Sequence, residues 1–433
     1  PETSVWQERN AERSKQNPSR EQMASEQRSI PEGFYLKTVE HRVRVTRVRQ
    51  QVVRTEWLVP ERYEIGDVLG SGAFGVVVQA HDKVTGENVA IKRVENAFRN
   101  PLESKRLLRE VKILKHLKHP NIIQLKDLCE QPSYEDFNHL YFVFELAQGD
   151  FQGKLRNAEP ITEEERRHLI YDLLKALKYT HSAHVLHRDI KPGNILMGAN
   201  NVVKLCDYGL ARSVHEHTET GPSQEMTLYV VTRWYRAPEL LLQFKKYTDS
   251  IDIWSVACIF AETYLRTPLF PGNSYLNQIT SIFSQIGTPQ QDEINDIGSP
   301  EARQWLSTQP RRERQSLHSR IPQASEEALD LMERMLVFHP DKRITVDEAL
   351  SHPYFADIRD ASLEVSAEEA LDFDFENLAL SIETIKTRMW SELREFHPHL
   401  PEHVEEVPAE AGSASSSGAV ENSSEPVETN ASS

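Results

Sequence analysis

Three cysteines in 433 residues, Cys129, Cys206 and Cys258, lie far apart and form no CxxC pair. A disulfide framework is therefore not the basis of the fold, and a reducing compartment is the simpler setting. No uninterrupted apolar run is long enough to cross a bilayer, and the opening residues, PETSVWQERN, are too polar for a secretory signal. Cations are also in short supply: 50 Lys and Arg face 66 Asp and Glu, for a formal charge of -16. That balance argues against a broad surface for phosphate backbones, so neither nucleic acid nor a membrane is expected as a partner. The expected location is the cytosol, with access to the nucleus open.

Large apolar groups are scarce at both ends. Residues 1 to about 30 are rich in Glu, Arg, Gln and Ser and cannot bury enough surface to offset the entropy of ordering, so 1–40 is expected to be a disordered extension. Residues 401–433 hold no Lys or Arg and read as an acidic, disordered tail. What remains suits one two-lobed unit of roughly 300 residues.

The period of the apolar residues changes along that unit. YEIGDVLG, VVVQAHD and NVAIKRV are alternating or β-branched runs punctuated by Gly, Asp and Thr-Gly, which predicts an antiparallel sheet. LESKRLLREVKILKHL then shows helical spacing at Leu107, Val111 and Leu114, and EEERRHLIYDLLKALKYTHS and SEEALDLMERMLVF read as longer amphipathic helices. The fold class is thus α+β, with a β-rich first lobe at 62–145 and a mainly helical second lobe at 146–355. Just before it, residues 41–61 begin with His41-Arg42-Val43-Arg44-Val45-Thr46-Arg47-Val48-Arg49. Such alternation fits an extra edge strand or charged surface segment; the other reading is a basic docking peptide for an acidic patch.

Gly70-Ser71-Gly72-Ala73-Phe74-Gly75 lies between strand-like runs, where glycines let a backbone approach phosphates and offer N–H donors. Alone it is a weak signal, but Val76-Val77-Val78-Gln79-Ala80 continues as a strand, whereas a dinucleotide fold would start a helix there. Downstream, Val89-Ala90-Ile91-Lys92 places a cation on the sheet, and Glu110 on the next helix is positioned to hold it. Three ordered motifs follow: His187-Arg188-Asp189-Ile190-Lys191-Pro192-Gly193-Asn194, Asp207-Tyr208-Gly209 and Ala237-Pro238-Glu239.

Over about residues 62 to 400, the sequence resembles the eukaryotic protein kinases. The resemblance implies a bilobal kinase fold, ATP as phosphoryl donor and Mg²⁺ as cofactor. It makes Asp189 the group that accepts or orients the substrate hydroxyl proton, with Lys191 near the γ-phosphate and Lys92 held by Glu110. Asn194 and Asp207 would be the metal ligands. Leu69 and Gly70 to Gly75 would cover the nucleotide. Val77, Ala90 and Leu196 would sandwich adenine, with Phe144 as gatekeeper, Glu145 and Ala147 as hinge and Asp150 toward the ribose. HRDxKxxN leans to Ser/Thr acceptors. Tyr208 departs from the usual Phe, and its hydroxyl needs a partner if buried. Cys206 reads either as a reactive thiol or, more simply, as a small buried residue.

Thr227-Leu228-Tyr229 ahead of Arg233-Trp234-Tyr235-Arg236 resembles the activation lip of the mitogen-activated protein kinases, with Leu228 atypical. That resemblance implies dual phosphorylation of Thr227 and Tyr229 by an upstream dual-specificity kinase. Arg106, Arg109, Arg188 and Arg212 are the candidates for the first phosphate, and Arg233 and Arg236 for the second. It further implies protein substrates with Ser/Thr-Pro sites, phosphatases and docking-motif proteins as partners, an insert after about 270, and an extension at 356–400 that packs back on the lobes. Asp360 and Glu364 fall at the family's acidic docking patch, Arg343 is the expected partner of Glu239, and Trp254 is expected as a second structural anchor. The rivals are a cyclin-dependent kinase, disfavoured by Thr-x-Tyr and the extension, and a silent scaffold of kinase fold.

Overall fold

The computed structural model describes residues 30–44, 50–72, 75–157, 159–214, 232–244, 248–377 and 381–403. Ala73, Phe74, Thr227, Leu228 and Tyr229 lie outside the described residues, as do the expected disordered stretches 1–29 and 404–433. Strands β1 (Phe34–Arg44) and β2 (Gln50–Pro60) pair antiparallel from Phe34↔Pro60 to Arg44↔Gln50. One expectation is corrected here: residues 34–40 are strand rather than disordered extension. With 41–44 and 50–60 they form a two-stranded sheet separate from the main one. The reason is apolar: Val39, Trp57 and Val59 are buried against Tyr63, Ile65, Val78 and Val143. Tyr35 fastens the junction, donating its hydroxyl to the Tyr63 carbonyl at 2.7 Å and accepting from the Ile65 amide at 3.1 Å.

The main sheet holds β3 (Tyr63–Gly72), β4 (Gly75–Asp82), β5 (Asn88–Val94), β6 (Leu125–Leu128) and β7 (Leu140–Glu145) in the antiparallel order β3-β4-β5-β7-β6. Gly75 has φ +122°, and a Cβ there would lie 2.1 Å from the Arg93 carbonyl oxygen, so glycine is required. Helix α1 (Pro101–His116) starts where the Asn100 side chain accepts from the amides of Leu102 and Glu103, with proline in the first turn.

In the second lobe, the capping box of Thr162 and Glu165 starts α2 (Glu163–Ser182). Short strands follow: β8 (Gly149–Asp150), β9 (Val185–Leu186), β10 (Ile195–Met197), β11 (Val203–Leu205) and β12 (Arg212–Ser213). Helix α3 (Ser250–Leu265) is buried along nearly its whole length, as an apolar sequence around Trp254 dictates, and packs against α2; α4 (Tyr275–Ile286) follows it, and α5 (Glu326–Met335) packs on α3 as well. Arg343 and Glu239 have fully buried side chains, joined by a two-pronged pair at 2.7 and 3.0 Å. Arg343 also donates to the Ser250 carbonyl at 2.7 Å and lies over the Trp254 ring.

From residue 356 the chain returns to the first lobe, where α6 (Ile382–Phe396) packs on α1. Buried Glu392 takes Lys112 at 2.5 Å and also Lys115, and Trp390 stands against Phe137. His397 Nε2 closes the return, 2.7 Å from the Leu128 carbonyl and 3.0 Å from Asp127 Oδ1.

Arg343→Met should leave Glu239 buried without its cation and cost about 3–5 kcal/mol of stability, read as a lower urea midpoint. Burial pulls His397 down, but Asp127 outweighs it and holds the imidazole above its ordinary value. A raised folded-state value means the stabilisation is full below about pH 6.5 and fades as pH rises through the folded value. The melting-temperature gap between wild type and His397→Gln should therefore be wider at pH 6 than at pH 8.5.

Candidate active site

The cleft between the lobes gathers residues from six sequence segments. Register places Val77 and Phe142 opposite Lys92, and Phe144 opposite Ala90, so these side chains share the face of the sheet that looks into the cleft. Lys92 Nζ lies 2.9 and 3.1 Å from the two carboxylate oxygens of Glu110. Burial pulls the ammonium down, but Glu110 and Asp207 outweigh it and keep Lys92 protonated. Burial pushes Glu110 up, and Lys92 opposes that. Opposite, Leu196 of β10 forms part of the floor, paired with Asp150. The Ala147 amide makes no hydrogen bond among the described residues, as a hinge donor should. Glu145 has another duty as well, since its carboxylate binds Lys204 at 2.9 Å and so ties β7 to β11 across the hinge. Asp150 is partly committed too, capping residues 151–156 through the Gly153 amide.

The catalytic loop is fixed from below by a residue that the sequence reading passed over. Buried Asp252, at the start of α3, accepts from the amides of His187 and Arg188 at 2.9 Å each and bonds His181 Nε2 at 2.9 Å. Burial would raise its carboxyl, yet His181 and these donors hold it below the usual range. The signal was present in DIWS, two residues before the noted Trp254. Arg188 thereby takes φ 67°, a left-handed backbone, and so does Asp207 at φ 67°. His187 Nδ1 accepts from the Asp189 amide at 3.2 Å, and Nε2 lies 3.0 Å from the Cys206 carbonyl, which fixes the ring tautomer. Asp189 contacts Lys191 and accepts from Asn194 Nδ2 at 3.1 Å. Burial pushes the Asp189 carboxyl up, with Lys191 opposing.

The chain matches the protein kinase domain over residues 63–355. It is 47% identical over 330 residues to Mitogen-activated protein kinase 4 of Arabidopsis thaliana, covering 76% of this chain and 86% of that protein. It is 45% identical over 333 residues to Mitogen-activated protein kinase 6 of Oryza sativa subsp. japonica, covering 77% and 87%. With Extracellular signal-regulated kinase 1 of Dictyostelium discoideum it shares 43% over 351 residues, 81% of this chain and 66% of that one. The chain belongs to the mitogen-activated protein kinases. It is a Ser/Thr protein kinase of signal transduction, with ATP as the phosphoryl donor.

Within this kinase Tyr208 is fully buried, and the partner its hydroxyl requires is Thr180 of α2, at 3.1 Å. His187 stands edge-on to the same ring, centroids 4.7 Å apart. Thr180 follows Tyr179 in an unremarkable helical stretch and carries no signal of its own. Burial of the thiol pushes Cys206 up, as does Asp207, and the thiol donates to the Asn194 carbonyl at 3.3 Å, so this partly buried cysteine is held as a neutral thiol rather than a reactive thiolate.

Two expectations are corrected. Arg109 is 2% exposed and already taken: it grips Glu376 of the C-terminal extension, Nη2 to Oε2 at 3.0 Å, and donates to the Gly209 carbonyl at 2.7 Å. Arg212 adds its charge to the same carboxylate, and Arg106 lies beside Arg109. The Arg188 and Arg233 charges lie instead near Arg236, which also feels Asp189. Glu364 is no docking acid, because Arg359 binds it at 2.8 and 3.2 Å and the Tyr171 hydroxyl donates to it at 2.8 Å. Asp360 remains exposed, its carboxylate capping Ser362.

Thr180→Val should strip Tyr208 of its hydrogen-bond partner and destabilise the kinase by about 1–3 kcal/mol, whereas adding Tyr208→Phe should recover most of the loss. Urea titration of the single and double variants checks it.

Proposed function

We propose that this kinase transfers the γ-phosphate of ATP to Ser or Thr hydroxyls followed by proline, with Asp189 receiving or orienting the acceptor proton. The observation that carries the reading is the joint placement of Asp189, Lys191 and Asn194 in one hydrogen-bonded group, facing a lobe where Lys92 is locked to Glu110. Lys92 stays a cation fixed in direction, as a ligand for polyphosphate must be. Open space above Gly70 and Gly72, where an added Cβ would meet no atom within 4 Å, suits the close approach of phosphate to backbone.

Mg²⁺ fits the donor set, since Asp207 offers a carboxylate and Asn194 an amide oxygen, both hard ligands. When bound, the metal neutralises charge on the phosphates. Asn194 is oriented for this by its own amide nitrogen, which donates to the Asp189 carbonyl at 2.8 Å and so turns its oxygen away. The raised Asp189 carboxyl is a better proton acceptor than a solvated aspartate, and the Lys191 ammonium beside it opposes that rise.

Dual phosphorylation of Thr227 and Tyr229 by an upstream dual-specificity kinase is the proposed switch. With Arg109 held by Glu376, the first phosphate would draw on Arg188, Arg212 and Arg106, and the second on Arg233 and Arg236. Protein substrates, phosphatases and docking-motif proteins would meet the kinase in the cytosol and nucleus.

After treatment with a dual-specificity upstream kinase, wild type should label a Ser/Thr-Pro peptide from γ-labelled ATP. Asp189→Asn should be slower by about 10²–10⁴. Thr227→Ala or Tyr229→Phe should keep the protein near its untreated rate, and Ser-Ala peptides should be poor acceptors. Confirmed double phosphorylation without labelling of any substrate would turn the reading to a scaffold.

A further inference from the structure

The β1–β2 hairpin is longer than the sheet it covers. On its inner face Val39 and Trp57 are 4% and 0% exposed, yet Val43, on that same face of β1, is 40% exposed. Beyond His41 the hairpin is therefore an arm that has left the sheet behind. At that point it meets the glycine-rich turn: the Ser71 hydroxyl donates to the Arg42 carbonyl at 2.7 Å.

Among the described residues, the end of β3 has little else to hold it. β3 is the outermost strand of the main sheet, so beyond β4 it has no neighbour in that sheet. Register continues through Gly70↔Val77 and Ser71↔Val76 to Gly72↔Gly75, but β3 is irregular on the way, slipping between Ile65 and Val68 and again between Val68 and Gly70. Glycines on both sides of Ser71 add backbone freedom. Among the described residues, the hydroxyl between them ties the turn to a second body, and that body is anchored by the buried Val39, Trp57 and Val59.

We propose that Ser71 is a positioning residue, whose bond to the hairpin arm holds Gly70 to Gly72, the end of β3, in place for the nucleotide before ATP arrives. A turn already ordered loses less entropy when its amides close on the phosphates. The acceptor is a backbone carbonyl, so the arm has to be present at this place but needs no particular side chain at position 42. The inference rests on the ATP-binding reading above.

The test uses the full chain and a fluorescent ATP analogue titrated in the unphosphorylated state, then KM for ATP and kcat after activation. The variants are Ser71→Ala, Ser71→Thr, a short arm in which Asn-Gly replaces residues 40–54, and the short arm combined with Ser71→Ala. Ser71→Ala should weaken nucleotide binding and raise KM for ATP by about two- to tenfold, a larger change than in kcat, with the melting temperature close to wild type. Ser71→Thr should restore binding, the short arm should reproduce the loss, and the combination should add nothing to either. Unchanged or tighter binding in Ser71→Ala, or losses that add in the combination, would overturn the proposal. Should the short arm fail to fold, the Ala and Thr variants decide alone. Wild type that binds no ATP would sink the pocket reading, and the tie with it.

Discussion

The Lys92–Glu110 pair exists only while α1 sits where it does, and the rest of the site depends on that placement. Lys92 is carried by a sheet strand with neighbours on both sides, so its position is given. Glu110 is carried by a helix whose apolar face alone does not determine how far it slides along the sheet. The opposite, cationic face does. Lys105 and Arg109 meet Glu376, and Lys112 and Lys115 meet Glu392, so the two ends of α1 are tied to two points of the C-terminal extension. An isolated surface ion pair contributes little, but two buried carboxylates spaced along one helix fix its position even where each adds little stability.

The catalytic loop is held by a different kind of constraint. Asp252 satisfies two loop amides at once, and the His187 ring spans from the Asp189 amide to the Cys206 carbonyl. The loop and the metal-binding segment thus share one imidazole. Tyr208 packs on that imidazole and hangs from Thr180, which joins the segment to α2 as well. Left-handed backbone at Arg188 and Asp207 is tolerated because these bonds over-determine it.

Much of this was legible in the sequence, and the exceptions share a cause. Alternation at 63–94 and helical period at 102–117 reported local geometry directly, and the motif residues came with their spacing. The contacts of Thr180, Glu376 and Ser71 were not legible, because each runs to a partner far along the chain that neither period nor motif points to. The hairpin was half legible: alternation at 41–49 announced a strand, but residues 34–40 were set aside as polar although Tyr35 and Val39 sit at the period that covers a sheet. Glu364 was misread for the converse reason. Its position matched a pattern, while Arg359, five residues earlier, had already neutralised it. Position in a motif says where a side chain stands and leaves open what it is bonded to.

Arg109 and Glu376 are 267 residues apart, and Lys115 and Glu392 are 277 apart. During synthesis, at about 5–20 residues per second, the first lobe therefore emerges roughly a quarter of a minute to a minute before the acids that hold α1 are made. A nascent chain carries that helix with a bare cationic face, and the nucleotide-binding lobe is finished last although it is made first. Ribosomes that stop short of the extension would release a chain with every catalytic residue and no fixed place for Glu110.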